Sequence, residues 1–408
     1  MSEFYKNIFK LASGSAVAQG IPLLVYPILT RIYLPQDFGS FATVILFSSL
    51  LAIVASGSYE HAILITKSKR EAANLIIFTI ARSVAVVLIA ALILFFTRAT
   101  AAGWLNDPSL TKGLLYAPPI ALGAVVFACH SEWLVKYKGY FLLSRNRIAQ
   151  GTFLVLSKIA SGMSGFFNQA LILGELFGRF LTVALSVYTI FKIDRKAFQL
   201  ITVSDMVACR LRFSHFPKYM VFDQLLNVFV GSVHVLFIGA AFGPAELGYI
   251  SLLFSALYLP ITVVSSAIKD VFRQQASIVY EQEGSCRPLF VKLLATISFF
   301  GTIPFVIGFI LAPFAFPLVF GAEWARVGEY AQIMIPMYYI NFVVMSLGGI
   351  LVFAEKMKVS LYWQVFSLVT SILALYVGCF VLKDITLCLV LLACVRALSY
   401  VVYGVLSY

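Results

Sequence analysis

Residues 30–41 read TRIYLPQDFGSF, and residues 242–250 read FGPAELGYI. Pro35-Gln-Asp-Phe-Gly39 and Pro244-Ala-Glu-Leu-Gly248 share one pattern: proline, any residue, an acid, an apolar residue, glycine. The copies are separated by close to half of the 408-residue chain. Tyr33 falls opposite Phe242, and Glu60 falls opposite Lys269. A shorter echo at a similar shift pairs Arg179-Phe-Leu-Thr182 with Arg396-Ala-Leu-Ser399. Two matches at nearly one spacing read as an internal duplication, with each proline and glycine fixing a bend between two apolar runs.

Composition sets the class. The chain is 61% hydrophobic and 12% charged, with mean hydropathy +0.95. A soluble domain carries roughly 25% charged residues and about 45–50% apolar ones, so one soluble core cannot hold this much apolar surface. A membrane helix needs about 20 apolar residues, which leaves room for roughly twelve. Hydropathy places them at 13–31, 39–58, 74–97, 113–135, 149–168, 170–191, 217–241, 247–268, 292–317, 330–354, 359–382 and 385–407. The runs do not alternate and are twice the length of a barrel strand, so they are helices. Met1–Lys10 is polar and leads into a long apolar run, which reads as a first span and not a cleaved leader.

The net charge of +12 is a matter of placement. Lys and Arg concentrate in every second connection, beginning with Lys6 and Lys10, then Lys67, Lys69 and Arg70, and so on to Lys356 and Lys358. The intervening connections hold Arg31, Arg98, Lys112, Arg326 and Lys383. By the positive-inside rule both termini are cytoplasmic, and nucleic acid is not needed to explain the charge. The longest polar connection, 193–216, separates a six-helix lobe at 1–192 from another at 217–408. Six spans lie between the repeat copies, so both lobes run the same way, related by a pseudo-two-fold along the membrane normal.

Nucleotide-cradling, hydrolase and zinc motifs are absent from the sequence. The six cysteines lack CxxC spacing and read as buried, reduced thiols. The informative residues are ionisable groups inside spans, which cost about 2.5–3.5 kcal/mol each on insertion scales. Arg82 and Lys158 lie about 12 Å from the cytoplasmic ends of their helices at about 1.5 Å per residue, and either snorkel or line a cavity. Arg179 and Arg396 lie near mid-span. Glu175 is one turn before Arg179 on the same face, which suits either an internal pair or a substrate-attracting cation beside it. Gly174 and Gly178 form a GxxxG step for close helix packing, and His234 reads as a packing residue. Arg82, Lys158, Arg179, Lys269 and Arg396 outnumber Glu60, Glu175 and Asp223. That cationic excess favours an anionic cargo, such as a diphosphate headgroup held by arginine forks. Glu60, Glu175 and Asp223 are the candidates for ion coupling, and Glu60 and Lys269 could alternately meet across a central cleft.

Three stretches, SGSAVAQGIPLLVYPILTRIYLPQDFGSFA (13–42), SYEHAILITKSKREAANL (58–75) and FGPAELGYISLLFSALYLPITVVSSAIKDVF (242–272), resemble the Wzx-type flippases of the multidrug/oligosaccharidyl-lipid/polysaccharide exporter superfamily. The resemblance implies two six-helix lobes that alternate between openings in a bacterial inner membrane. It implies an undecaprenyl-diphosphate-linked oligosaccharide as cargo, an O-antigen (lipopolysaccharide) or other surface-polysaccharide repeat unit, moved in exchange for H+ or Na+. It also implies the pathway's polymerase and chain-length proteins as partners, and places Arg31, Glu60 and Lys269 on cavity-lining helices. Ser58 stands where the family often has arginine, and Thr66 where it often has proline. The alternatives are a drug/cation antiporter of the same superfamily, which would need more intramembrane carboxylates, and a membrane enzyme of polysaccharide assembly, which would need a large acidic outward loop. No metal and no cofactor are expected.

Overall fold

The structure, a computed structural model, describes residues 20, 24–165, 169–283, 287–348 and 357–407. Among these the regular structure is helical throughout, with no strand. Residues 24–32 form α1; the earlier part of the first expected span, with Lys6 and Lys10, lies outside the described residues. Over the described residues the other expected spans each fall on a helix, with 166–168 of the fifth and 349–354 of the tenth lying outside them. The helices are α2 (Pro35–Ser56), α4 (Lys69–Trp104), α6 (Ala117–Lys136), α7 (Tyr140–Met163) and α8 (Ala170–Asp194), followed by α10 (His215–Glu283), α11 (Arg287–Phe320), α12 (Ala325–Ser346), α13 (Met357–Tyr376) and α14 (Ile385–Ser407). Short helices α3 (Tyr59–Ala62), α5 (Leu110–Gly113) and α9 (Val203–Arg212) lie in the connections. The chain is an all-α polytopic membrane protein.

Local chemistry sets the helix ends. Pro35 is the first residue of α2, where a missing N–H costs nothing, and Asp37 sits in the first turn against the positive end of the helix. The second copy repeats this inside α10. Gly243 breaks the helix with φ 81°, a backbone conformation open mainly to glycine, and Pro244 restarts it. Glu246, three residues into the restart, accepts hydrogen bonds from Arg326 and from the Tyr330 hydroxyl (2.8 Å), tying α10 to α12. The duplicated motif is therefore a helix start. In α4, the Ser68 side chain caps the first turn by accepting the Glu71 N–H at 3.1 Å, and Glu71 in turn accepts the Lys67 N–H at 2.6 Å.

Burial distinguishes lipid-facing helices from interior ones. The apolar window of α11 is only 17% buried and that of α4 22%, whereas the window over Leu110–Lys136 is 56% buried. Leu88, Ile89, Leu92 and Phe96 project from α4 as an exposed apolar face, as a helix solvated by acyl chains requires. Three internal prolines in α11, Pro304, Pro313 and Pro317, are tolerated because neighbouring membrane helices can satisfy freed backbone groups.

The chain divides into two compact units, Met1–Tyr33 with Asp37–Val228, and Leu34–Gln36 with Phe229–Tyr408. The connection 193–216 is itself folded. A 3-10 turn, Arg195–Leu200, leads into α9, whose Cys209 and the following Phe213 and Phe216 enter a buried cluster with Tyr59, Leu75, Ile76, Trp133 and Leu143. Polar contacts fix the same element to the start of α4. Lys69 pairs with Asp194 (2.5 Å), Arg70 with Asp205 (2.7 Å) and Arg212 with Glu71, while Asn74 accepts the Thr202 N–H at 3.1 Å.

Candidate functional site

In the first unit, α7 and α8 approach so closely that their glycines have no room for a side chain. A Cβ on Gly174 would lie 2.5 Å from the Lys158 Cα, and one on Gly178 would lie 2.7 Å from the Leu154 Cα. This contact carries a buried three-residue charge cluster. Glu175 Oε2 is 2.8 Å from Lys158 Nζ, and Glu175 Oε1 accepts a 2.8 Å bond from Arg179 Nε. The Glu175 side chain is 4% exposed, against 15% for Lys158 and 22% for Arg179, so the carboxylate is the interior member. Lys158 also sits over the Phe41 ring at 4.5 Å, and its backbone carbonyl accepts the Tyr33 hydroxyl at 2.6 Å. Lys158 thus turns inward to Glu175 and does not snorkel. One carboxylate faces two cations, leaving one positive charge uncompensated. Among the described residues the Nη groups of Arg179 have no acceptor, and they are the donors left for an anion.

A second cluster forms at the corner between α2 and α4. Gly57 (φ 62°) and Ser58 (φ 58°) are both left-handed and turn the chain into α3, which carries Glu60 inward. Ser56 Oγ donates to Glu60 Oε1 at 3.2 Å, while the buried Oε2 has no partner among the described residues. His61 stands between two carboxylates, with Nε2 3.9 Å from Glu60 and Nδ1 3.4 Å from Glu132. Burial raises the Glu60 pKa above the usual carboxylate value, opposed by its own backbone N–H, His61 and Ser56. The bond to Glu132 raises His61 above its ordinary value, with Glu60 adding to this and burial opposing it.

Arg82 completes this corner. Its Nη1 donates to the carbonyls of Val54 (2.8 Å) and Ala55, capping the C-terminus of α2, and its guanidinium carbon lies 3.0 Å from where a Gly57 Cβ would be. Ser58, where the resemblance expects arginine, is fully buried. The guanidinium at this corner comes instead from α4.

The other expected site residues are dispersed. Arg31 is exposed at the end of α1, and Asp223 is exposed near the start of α10. In the second unit Lys269 is half-buried on α10, with its Cδ 3.9 Å from a Cβ placed on Gly348. Arg396 of α14 donates to the Val230 carbonyl at 2.7 Å. His234 packs edge-on against Phe254 (4.2 Å). The sequence reading missed His61 and Glu132. The signal was present as a histidine beside a glutamate directly after an apolar span, but Glu132 lies 71 positions beyond His61 and only the fold brings it back. No group of three or more His, Cys, Asp or Glu among the described residues forms a metal site.

Several solved structures share this fold. An inward-facing multidrug resistance MATE family transporter of the MOP superfamily aligns with a TM-score of 0.68 at 13% identity, covering 100% of this chain and 94% of its own. The lipid II flippase MurJ, in an inward closed conformation, aligns with a TM-score of 0.68 at 14% identity, covering 98% and 87%. The eukaryotic MATE transporter AtDTX14 aligns with a TM-score of 0.57 at 12% identity, covering 99% and 96%. No curated protein matches the sequence. Residues 28–329 match the family described as polysaccharide biosynthesis protein. The chain therefore belongs to the polysaccharide biosynthesis protein family, with the fold of MOP superfamily transporters.

Proposed function

We propose that this protein is a flippase that carries a polyprenyl-diphosphate-linked oligosaccharide across the bacterial inner membrane by alternating access. The observation that supports this best is the Lys158–Glu175–Arg179 cluster. A buried carboxylate fixes two cations in the bundle and leaves guanidinium donors free, which suits a diphosphate far better than a cationic drug. Family membership in polysaccharide biosynthesis supports the sugar-lipid class, and the fold shared with MurJ and MATE transporters supports transport over catalysis.

Coupling is assigned to Glu60, with H+ as the ion. A carboxyl with one buried, unpartnered oxygen and a neighbouring imidazole suits proton uptake better than Na+ binding, which calls for several oxygen ligands. Arg179→Glu, expressed to the same level in the membrane, is expected to abolish surface polysaccharide. Arg179→Lys is expected to retain part of it. Unchanged polysaccharide in Arg179→Glu would overturn the cationic site. The antiporter reading predicts instead that the chain exports cationic drugs, which a drug-accumulation assay in cells lacking other exporters would detect.

A further inference from the structure

The last two helices of the chain meet at a pair of thiols. Cys379 Sγ and Cys388 Sγ lie 3.5 Å apart, and both residues are buried, at 2% and 0% exposure. Three local features set this register. The end of α13 widens into a π-helical segment, Val377–Leu382, which carries Cys379. Lys383 then adopts a left-handed conformation (φ 53°) and stops the helix. Asp384 starts α14, its carboxylate accepting the Leu387 N–H at 2.9 Å and its carbonyl accepting the Cys388 N–H at 2.9 Å. Gly378 lets the backbones touch, since a Cβ there would lie 2.5 Å from the Cys388 Cα.

Each cysteine is one helical turn from the Lys383–Asp384 bend, so both lie about 6 Å from the end of the hairpin at about 1.5 Å per residue. Lys383 belongs to the sparse set of cations in the connections opposite the Lys- and Arg-rich ones, which puts this bend on the exoplasmic side. That compartment is oxidising in bacteria. The sulfurs need to close by about 1.5 Å to reach the disulfide bond length of about 2.05 Å.

We infer that Cys379 and Cys388 form a disulfide that staples the outer end of the α13–α14 hairpin. The two thiols lose two protons and two electrons to an exoplasmic thiol oxidant carrying a disulfide, which leaves as a dithiol. Because both sulfurs are buried in the folded unit, the bond forms once α13 and α14 have paired but before α12 packs on α14. This goes beyond the reading of all the cysteines as reduced thiols, and it is independent of the transported substrate. It rests on the orientation read from the cations.

The test is mass spectrometry of the full-length protein purified from membranes. The protein is denatured with an alkylating agent present and no reductant, then digested with trypsin. Cleavage after Lys358, Lys383 and Arg396 places Cys379 in peptide 359–383, and Cys388 with Cys394 in peptide 384–396. The expected result is these two peptides linked and two hydrogens lighter than their sum, separating only after reduction. The link persists in Cys394→Ser and is lost in Cys388→Ser. Full alkylation of Cys379 and Cys388 without reductant would overturn the disulfide. A parallel measurement labels Asp384→Cys, in a background with all six native cysteines replaced by serine, with a membrane-impermeant maleimide on spheroplasts. Labelling confirms the orientation, so that free thiols then count against the bond itself. Absence of labelling with labelling after lysis would place the pair on the reducing side and overturn the proposal.

Discussion

Lys158 Nζ lies 2.8 Å from Glu175 Oε2, joining α7 to α8 where the Gly174 backbone touches the Lys158 backbone. The ion pair and the helix contact are one feature. Small residues bring the helices together, and the buried carboxylate makes it tolerable for a lysine to lie in the seam.

Removing Glu175 should therefore cost more than removing an ordinary ion-pair partner. Glu175→Gln leaves Lys158 and Arg179 facing one another in a low-dielectric contact, and breaking a buried pair this way typically costs about 3–5 kcal/mol. A lowered unfolding temperature in detergent would register this. Lys158→Met combined with Glu175→Met should recover much of the loss.

Gly174→Ala tests the seam itself. The added Cβ would meet the Lys158 Cα at 2.5 Å, and backbone on both sides leaves no side chain to move aside. Overpacking of this kind costs about 1–3 kcal/mol or more. The expected outcome is reduced membrane yield and a lower melting temperature, larger than for Gly103→Ala, where nothing lies within 4 Å.

The Glu60 corner should show in the pH dependence of stability. Burial raises the Glu60 pKa, and contact with Glu132 raises that of His61. For both, the folded state binds protons more tightly than the unfolded chain. Their contribution is fully present below the unfolded pKa values and is lost as pH rises through the folded ones. Glu60→Gln should therefore gain in melting temperature relative to wild type as pH rises through the raised Glu60 pKa. Parallel curves for the two proteins across that range would show that Glu60 does not titrate differently on folding.

Ser68→Ala removes the side chain that caps α4. Loss of an N-cap costs about 1 kcal/mol. Hydrogen exchange should rise at the first turn of α4 while the α7–α8 seam stays protected.

Much of this architecture was legible because a bilayer leaves a chain few options. Long apolar runs became helices, and the Pro-x-acid-apolar-Gly repeat marked two helix starts at Pro35 and Pro244. The i,i+4 spacing of Glu175 and Arg179 foretold their pair, since both lie on one helix. What escaped notice depended on contacts between helices. Lys158 could have snorkelled, and only the packing of α7 on α8 turns it to Glu175. Arg82 could have lined a cavity, but it caps α2 through a left-handed turn at Gly57 and Ser58 that hydropathy does not reveal. The polar stretch 193–216 read only as a connection between lobes, because Cys209 and Phe213 show their buried role only against Trp133 and Leu75.

The 36-residue helix α4 also serves as a ruler. Lys69 near its start lies over the Tyr137 ring at 5.0 Å, and Arg98 near its end lies over the Phe95 ring at 4.7 Å. The 29-residue step from Lys69 to Arg98 spans about 43 Å at about 1.5 Å per residue, which matches a bilayer of about 40–45 Å with its headgroups. Each cation with its aromatic neighbour suits the wet, apolar-edged zone of one leaflet. One helix with a cation near each end would set the depth at which the first unit sits in a membrane. Lengthening α4 by a turn between those marks would shift that depth without altering any charge in the bundle.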